Sequence, residues 1–568
     1  MNKWFLFLFA FFACTHCFGQ ARLRKLPATI NHPAINVSAP YISLDGGSLI
    51  FVSDNNDENQ LTLFHTTKKD AVNWKEPVKM PKTVNNRLTF LRGFALSADG
   101  KAMYLSSLKS GGLGGFDILV SELRGTYWAE PVNLGLPINS SGQEACPSLA
   151  PDGSALYFMR CEKMDQKNAS GCKILVSHQS RLGKWEEPVE LPGYINTGNS
   201  QAPRILGDGE TLLFSSDQFP QNKGGMDLYL TRYDGSNWSR PVPLSFANTA
   251  MDDQYVSASY LGRYLLKDQP GPRTSEIVEL LFPPGLKPKA LVKIDGTVTG
   301  LENPSSPYIA AFDLKDQRRV YNGRPDKDGA FTLYLPEGAR YDLSVEPEKD
   351  NYTFYSKTYD FTSDVPMSDR VEAEIRPVAK GTTLELGIAF EPNSSQPSPL
   401  SAQSLRRLGR MVKGNPDRKF MLGITLKGYL ADSIPSSPDL TEVRMDTLHF
   451  SVPRVVLDTV KLDSLLTLVN ERGSLMGAQA DSTMAVAGTT VGAQIDSIRE
   501  KALMTILVDS MAIKKTYHNN RTEAQAHSII NFLIGEGANG QNIGFTTKAL
   551  PEPVAENRKT IVTVSVVE

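Results

Sequence analysis

FALSADGKAMYLSS (94–107) decides how this chain is read. It runs strand, tight turn, strand, with Asp99-Gly100 at the turn. Asp-Gly is a favoured pair where a two-residue hairpin needs positive φ, so a two-residue loop is expected. The pattern returns in YISLDGGSLIFVSD (41–54), PSLAPDGSALYFMR (147–160) and RILGDGETLLFSSD (204–217). After each comes a Trp with a Pro three residues on: Trp74/Pro77, Trp128/Pro131, Trp185/Pro188 and Trp238/Pro241. Each unit closes at an Asn: Asn85, Asn139, Asn196 and Asn248. The turn aspartates 45, 99, 152 and 208 lie 54, 53 and 56 residues apart, and the tryptophans 54, 57 and 53.

Three landmarks that keep one period, with strands and turns inside it, are the signature of a β-propeller. One small sheet cannot bury both its faces, so neighbouring sheets must stack around an axis. A Trp at one phase of every unit reads as a core anchor, and Trp128 and Trp185 of the inner units are expected to be buried. The alternative is a ligand platform. LPATINHPAINVSAP (26–40) resembles the unit-ending LGLPINSSGQEACP (134–147), and 255–282 reads as a worn unit without Trp. The two ends would then form one blade together. From residue 20 to 285, at about 54 residues per unit, five blades are expected, with six as the alternative.

Residues 1–19 read as a secretory signal: Lys3, an apolar run from Trp4 to Ala13, then small residues. The alternative is a lipoprotein acylated at Cys14. No other stretch is long and apolar enough to span a bilayer as a helix. Sixty Lys and Arg against 62 Asp and Glu leave a net charge of −2, so nothing points to nucleic acid. Cys161 and Cys172 flank one loop and could be joined in an oxidising compartment, or could remain two thiols. Cys146 stays outside that pair and is expected to be buried.

The repeats over 21–285 resemble those of TolB-like propellers, on their Asp-Gly, Gly-Gly-x-Asp and Trp-x-x-Pro elements. The resemblance implies an interaction platform. After the Pro-rich joint PPGLKPKA (283–290), seven short alternating runs to residue 377 argue a β-sandwich, assigned to 286–378. Its DKDGAFTLYLPEGARYDLSVE (326–346) resembles the carboxypeptidase regulatory-like domain, which implies a spacer and no hydrolase. From 379 to 568 the order becomes α/β. IAFEPNS (388–394), GNPDRKF (414–420), NFLIGEG (531–537) and NRKTIVTV (557–564) resemble the OmpA-like domain, which binds peptidoglycan. In that family an Asp and an Arg grip the diaminopimelate of the peptide stem. The family pattern places Lys427 at the Asp position and Gln525 at the Arg position, with Arg521 as a possible substitute four residues earlier. A lysine repels an ammonium and a glutamine carries no charge, so ordinary peptidoglycan binding is expected to be lost.

An insertion, 431–516, carries Asp-Ser or Asp-Thr at 432, 446, 458, 463, 481, 496 and 509. It is read as a mixed excursion with one or two helices, such as 495–513, or as a partner-binding arm. No G-x-S-x-G or H-E-x-x-H occurs, and the seven His residues lack metal-ligand spacing. SDNNDEN (53–59) could hold calcium, but a solvated hairpin accounts for it. No metal or other cofactor is expected. The domain order resembles propeller, regulatory and OmpA-like proteins of bacteria that use type IX secretion. The expectation is therefore a non-enzymatic scaffold at the periplasmic face of the outer membrane. Its partners would be envelope or outer-membrane proteins, met through the propeller and the insertion. The alternatives are a true peptidoglycan tether and a propeller-type hydrolase.

Overall fold

The computed structural model describes residues 23–54, 61–85, 91–108, 112–165, 168–180, 183–271, 274–300, 307–363, 365–391, 394–427, 441–476, 496–518, 521–550 and 559–568. The expected signal 1–19 with Cys14, most of SDNNDEN, and 431–440 and 477–495 of the insertion lie outside them. The chain divides into two compact units, 1–387 with 406–418 and 568, and 388–405 with 419–567.

In the first unit five antiparallel sheets follow one another, each a path of four strands. Sheet I holds Val37–Ile42, Ser48–Ser53, Thr62–Thr67 and Val78–Lys79. Sheets II, III and IV repeat that order over 91–133, 143–190 and 200–243. Sheet V joins both ends: Leu23–Lys25 pairs with Ser275–Leu281, with Leu23 opposite Leu280. Apolar clusters fill the space between consecutive sheets. Ile50 and Val52 of sheet I meet Met103 and Leu105 of sheet II. Ile118 meets Phe158 between II and III, and Ile174 meets Phe214 between III and IV. Leu228 meets Leu265 between IV and V, and Leu266 meets Phe51 between V and I. The sheets therefore close a propeller-like cycle.

The turns differ from the two-residue expectation. Ile42 pairs with Leu49, and the Ser43 amide donates to the Ser48 carbonyl at 2.8 Å, so four residues form the loop. Only the glycine takes positive φ, at 71°, 69°, 72° and 68° for Gly46, Gly100, Gly153 and Gly209. The Asp instead caps the loop: Asp45 Oδ1 accepts the Gly47 amide at 2.9 Å and Asp99 Oδ1 the Lys101 amide at 3.0 Å. In the first strand of sheets I, III and IV, Ala39, Cys146 and Ala202 sit at φ 47°, 52° and 46°. Each falls in a register shift and precedes a proline, so an Ala/Cys-Pro pair marks a bulge that recurs at the same place in three sheets.

The tryptophans also need correcting. Trp74 is buried, but Trp128 and Trp185, expected in the core, are only half-buried, as is Trp238. Trp74, Trp185 and Trp238 sit on isolated bridges, such as Gln179 with Trp185, Trp128 pairs with Leu123 in a short strand, and each packs against an apolar cluster. The period fixes the phase of a residue in its unit, not its depth.

Seven further strands, 291–374, form a three-stranded and a four-stranded sheet around one apolar core containing Ile294, Leu333, Leu343 and Val371. Leu291–Thr299 runs parallel to Ser368–Glu374 and antiparallel to Ala330–Pro336. On the four-stranded sheet Asp342 and Glu346 receive Arg407, at 2.5 and 2.7 Å. All three groups are largely desolvated, and burial raises the Asp342 carboxyl above the usual carboxylate range.

In the second unit Phe420–Lys427 lies between Ile543–Leu550, parallel, and Lys559–Val566, antiparallel. Helix Thr522–Gly535 packs on the first two of these, and its Ile529 and Leu533 are buried. The insertion corrects the expectation of a helix over 495–513. Helix covers 496–501 only, and Leu503–His518 is a strand paired along its length with Thr441–Leu457. Helix Thr459–Met476 follows the first strand.

Candidate functional site

The family-derived positions fall on two elements. Lys427 ends the strand Phe420–Lys427, exposed, with Leu550 and Lys559 as its register partners. Arg521 and Gln525 share the first turn of helix Thr522–Gly535, where the Gln525 amide donates to the Arg521 carbonyl at 2.8 Å. Arg521 stands at the N-cap rather than inside the helix, and offers no side-chain cap. Both side chains are withdrawn from solvent: Arg521 is 5% exposed and Gln525 7%. The substitutions were legible in sequence; this burial was not.

Five asparagines form a second constellation, and it is structural. In each sheet one amide clasps the backbone of the third strand. Asn139 Oδ1 accepts the Ile118 amide at 2.8 Å, and its Nδ2 donates to the Ile118 carbonyl at 2.8 Å. Asn85 does so at Leu63, Asn196 at Ile174 and Asn248 at Leu228. The fifth clasp is Asn31 on Ile277, at 2.8 and 2.9 Å, so the N-terminal segment supplies sheet V with its missing landmark.

At the inner edges of the sheets lies a cavity of about 50 Å³ lined by Tyr41, Leu96, Ser148, Arg204 and Ser257, one residue from each sheet. Arg204 fills its wall. Its Nε donates to the Val256 carbonyl at 3.1 Å, its Nη2 to the Phe94 carbonyl at 3.0 Å, and its guanidinium lies 5.0 Å from the Tyr41 ring centre. Burial lowers the Arg204 pKa and raises that of Tyr41, whose hydroxyl donates to the Leu96 carbonyl. No carboxylate lines this cavity. Sequence reading missed Arg204. Its signal was a cation where the matching strands carry Tyr41, Ala95 and Ser148.

A wider cleft of about 510 Å³ has the turns of Asp45, Asp99 and Asp152 on one side and Tyr321, Arg324 and Tyr334 on the other. Its carboxylates are engaged in their own turns: Asp152, for instance, accepts the Ser154 amide at 3.0 Å and the Ser154 hydroxyl at 2.7 Å. Among the described residues no group of three His, Cys, Asp or Glu could hold a metal ion. Cys161 and Cys172 are joined by a disulfide, and Cys146 is buried. No described helix is long and apolar enough to cross a membrane.

No family model matches the chain, and no curated protein matches it. Solved structures do. The putative TolB from Agrobacterium tumefaciens is 18% identical, covering 53% of this chain and 90% of its own, with a TM-score of 0.27. The endo-arabinase from Bacteroides thetaiotaomicron VPI-5482 is 16% identical, covering 46% and 97%, at 0.32. A thermostable family-43 glycoside hydrolase is 13% identical, covering 44% and 91%, at 0.31. These neighbours include TolB-like and glycoside hydrolase propellers; the fold itself is read from the sheets described above.

Proposed function

We propose that this protein is a non-enzymatic cell-envelope scaffold. In this reading the five sheets are the five blades of an interaction disc over 20–285. A regulatory-like sandwich over 286–378 spaces it from an OmpA-like domain over 379–568 that has lost ordinary peptidoglycan binding. The observation that carries the proposal is the state of the three family-derived positions. Lys427 presents an exposed cation where an ammonium would have to bind, Gln525 is uncharged, and Arg521 is buried at the helix start. Two charge-assisted bonds are thereby missing from the grip on diaminopimelate. The rival propeller hydrolase lacks support at the axis, where Arg204 stands and no carboxylate lines the cavity. Export through residues 1–19 and residence at the outer membrane belong to the same proposal, as do envelope proteins as partners.

Cross-linking in cells followed by mass spectrometry tests it. Peptides from the propeller and the insertion are expected joined to envelope proteins. Cross-links confined to cytoplasmic proteins would refute the assignment.

A further inference from the structure

The insertion forms a two-stranded ribbon, Thr441–Leu457 with Leu503–His518, and no further strand joins it among the described residues. A lone two-stranded ribbon is marginal in water, and a long open strand edge is a template for pairing. Here Leu448, Phe450 and Val452 are 48%, 46% and 42% exposed. These three residues form an apolar stripe across the strand beside that open edge.

We infer that the open edge of strand Thr441–Leu457 is taken up by a second copy of this chain, paired antiparallel over 447–453 about a two-fold axis at Phe450, which runs the apolar stripe of one copy into that of the other. The residues of the strand are self-complementary in that register and not in the two beside it. Side chains alternate, so Asp446, Leu448, Phe450, Val452 and Arg454 share one face. About Phe450, that residue meets its own copy and Leu448 meets Val452. Asp446 meets Arg454, so two opposite-charge pairs flank an apolar centre. This is the isologous pattern a two-fold interface requires. Moving the axis one residue to His449 sets Asp446 against Val452. Moving it to Ser451 sets Leu448 against Arg454.

Pro453 fixes the ends. It pairs with Leu507 inside the ribbon, and a proline is tolerated in a ladder where its missing N–H faces away from the partner strand. The open edge is then formed by the backbone groups of Thr447, His449, Ser451 and Pro453. In the two-fold register His449 and Ser451 exchange both hydrogen bonds at the centre. Thr447 meets Pro453, where donors run out and the new ladder stops. The proline thus limits pairing to the complementary stretch and opposes growth along the edge.

The test is sedimentation velocity on the purified full chain, with a dilution series. The parent is expected to dimerise reversibly. Asp446→Arg places like charges at both ends and should raise the dissociation constant roughly tenfold or more. The double variant Asp446→Arg/Arg454→Asp restores complementarity between the copies and should dimerise better than Asp446→Arg, while residue 446 still faces Lys514 within its own ribbon. A second measurement does not depend on affinity. Residues facing each other across an axis of this type lie about 4.5 Å apart at Cα, close enough for a disulfide. Phe450→Cys should therefore oxidise to a covalent dimer. Met445→Cys, about 30 Å from its own copy in this register, should not. Three results would each overturn the proposal: a parent that stays monomeric at every concentration, a charge-swapped double variant no better than Asp446→Arg, or Phe450→Cys and Met445→Cys cross-linking alike. A monomeric chain whose ribbon binds lipid vesicles would overturn it in favour of a membrane surface.

Discussion

Lys267→Met is expected to destabilise the first unit by about 3–5 kcal/mol, the cost of leaving a buried carboxylate without its cation. Lys267 lies in Tyr264–Pro270 of sheet V, with its side chain 2% exposed, and pairs with Asp253, whose side chain is 0% exposed. Its ammonium also donates to the Ala247 carbonyl at 3.0 Å, and Asp253 accepts the Thr249 amide at 2.6 Å and hydroxyl at 3.0 Å. Methionine keeps the length of lysine, so packing changes little while Asp253 loses its counter-charge. Adding Asp253→Asn to Lys267→Met should recover much of the loss, because the desolvated negative charge is gone. Denaturant unfolding followed by tryptophan fluorescence reads both. A single-variant cost below about 1 kcal/mol would show that water reaches the pair.

Asn139→Ala should cost about 2–4 kcal/mol. Asn139 is 0% exposed, and its amide satisfies the Ile118 N–H and C=O and also donates to Asn133 Oδ1 at 2.7 Å. Alanine leaves a buried donor and a buried acceptor unanswered, each worth about 1–3 kcal/mol when orphaned. Asn139→Asp should be at least as damaging, since a carboxylate cannot donate to the Ile118 carbonyl. A loss below about 1 kcal/mol in thermal or denaturant unfolding would mean water replaces the clasp.

These clasps mark what the sequence could and could not tell. The period, the Asp-Gly turns and the terminal Asn positions were all readable, because local turn chemistry and apolar alternation recur at fixed offsets. The work of Asn139 was not, because it bonds a strand 21 residues earlier. Asn31 was visible only as part of a segment resembling a unit's end, yet its bonds to Ile277 span 246 residues. Trp128 and Trp185 were placed too deep, because phase in a repeat does not give distance from the sheet edge. The stretch LMTILVDSMAIKKTYH (503–518) misled for another reason. Apolar residues on both faces of an exposed ribbon blur the period of two, and a helix then fits nearly as well. Lys267 left a faint signal, a cation inside the apolar run YLLKDQ (264–269).

At the candidate peptidoglycan site, residue identity was legible and environment was not. Lys427 and Gln525 were recognisable as departures from the Asp and Arg of the OmpA-like pattern that the sequence resembles. That Arg521 is buried depends on how helix Thr522–Gly535 meets its sheet, which pattern alone does not fix.

Co-sedimentation of the purified full chain with isolated peptidoglycan tests the central claim most directly. On the proposed reading two charge-assisted bonds are absent, which predicts binding roughly 10²–10⁴-fold weaker than that of an OmpA-like domain with its Asp and Arg intact. The chain should therefore remain in the supernatant at concentrations where such a domain pellets. Pelleting as complete as that of the intact domain, abolished by Arg521→Ala, would contradict the account and establish Arg521 as the residue that grips the peptide stem.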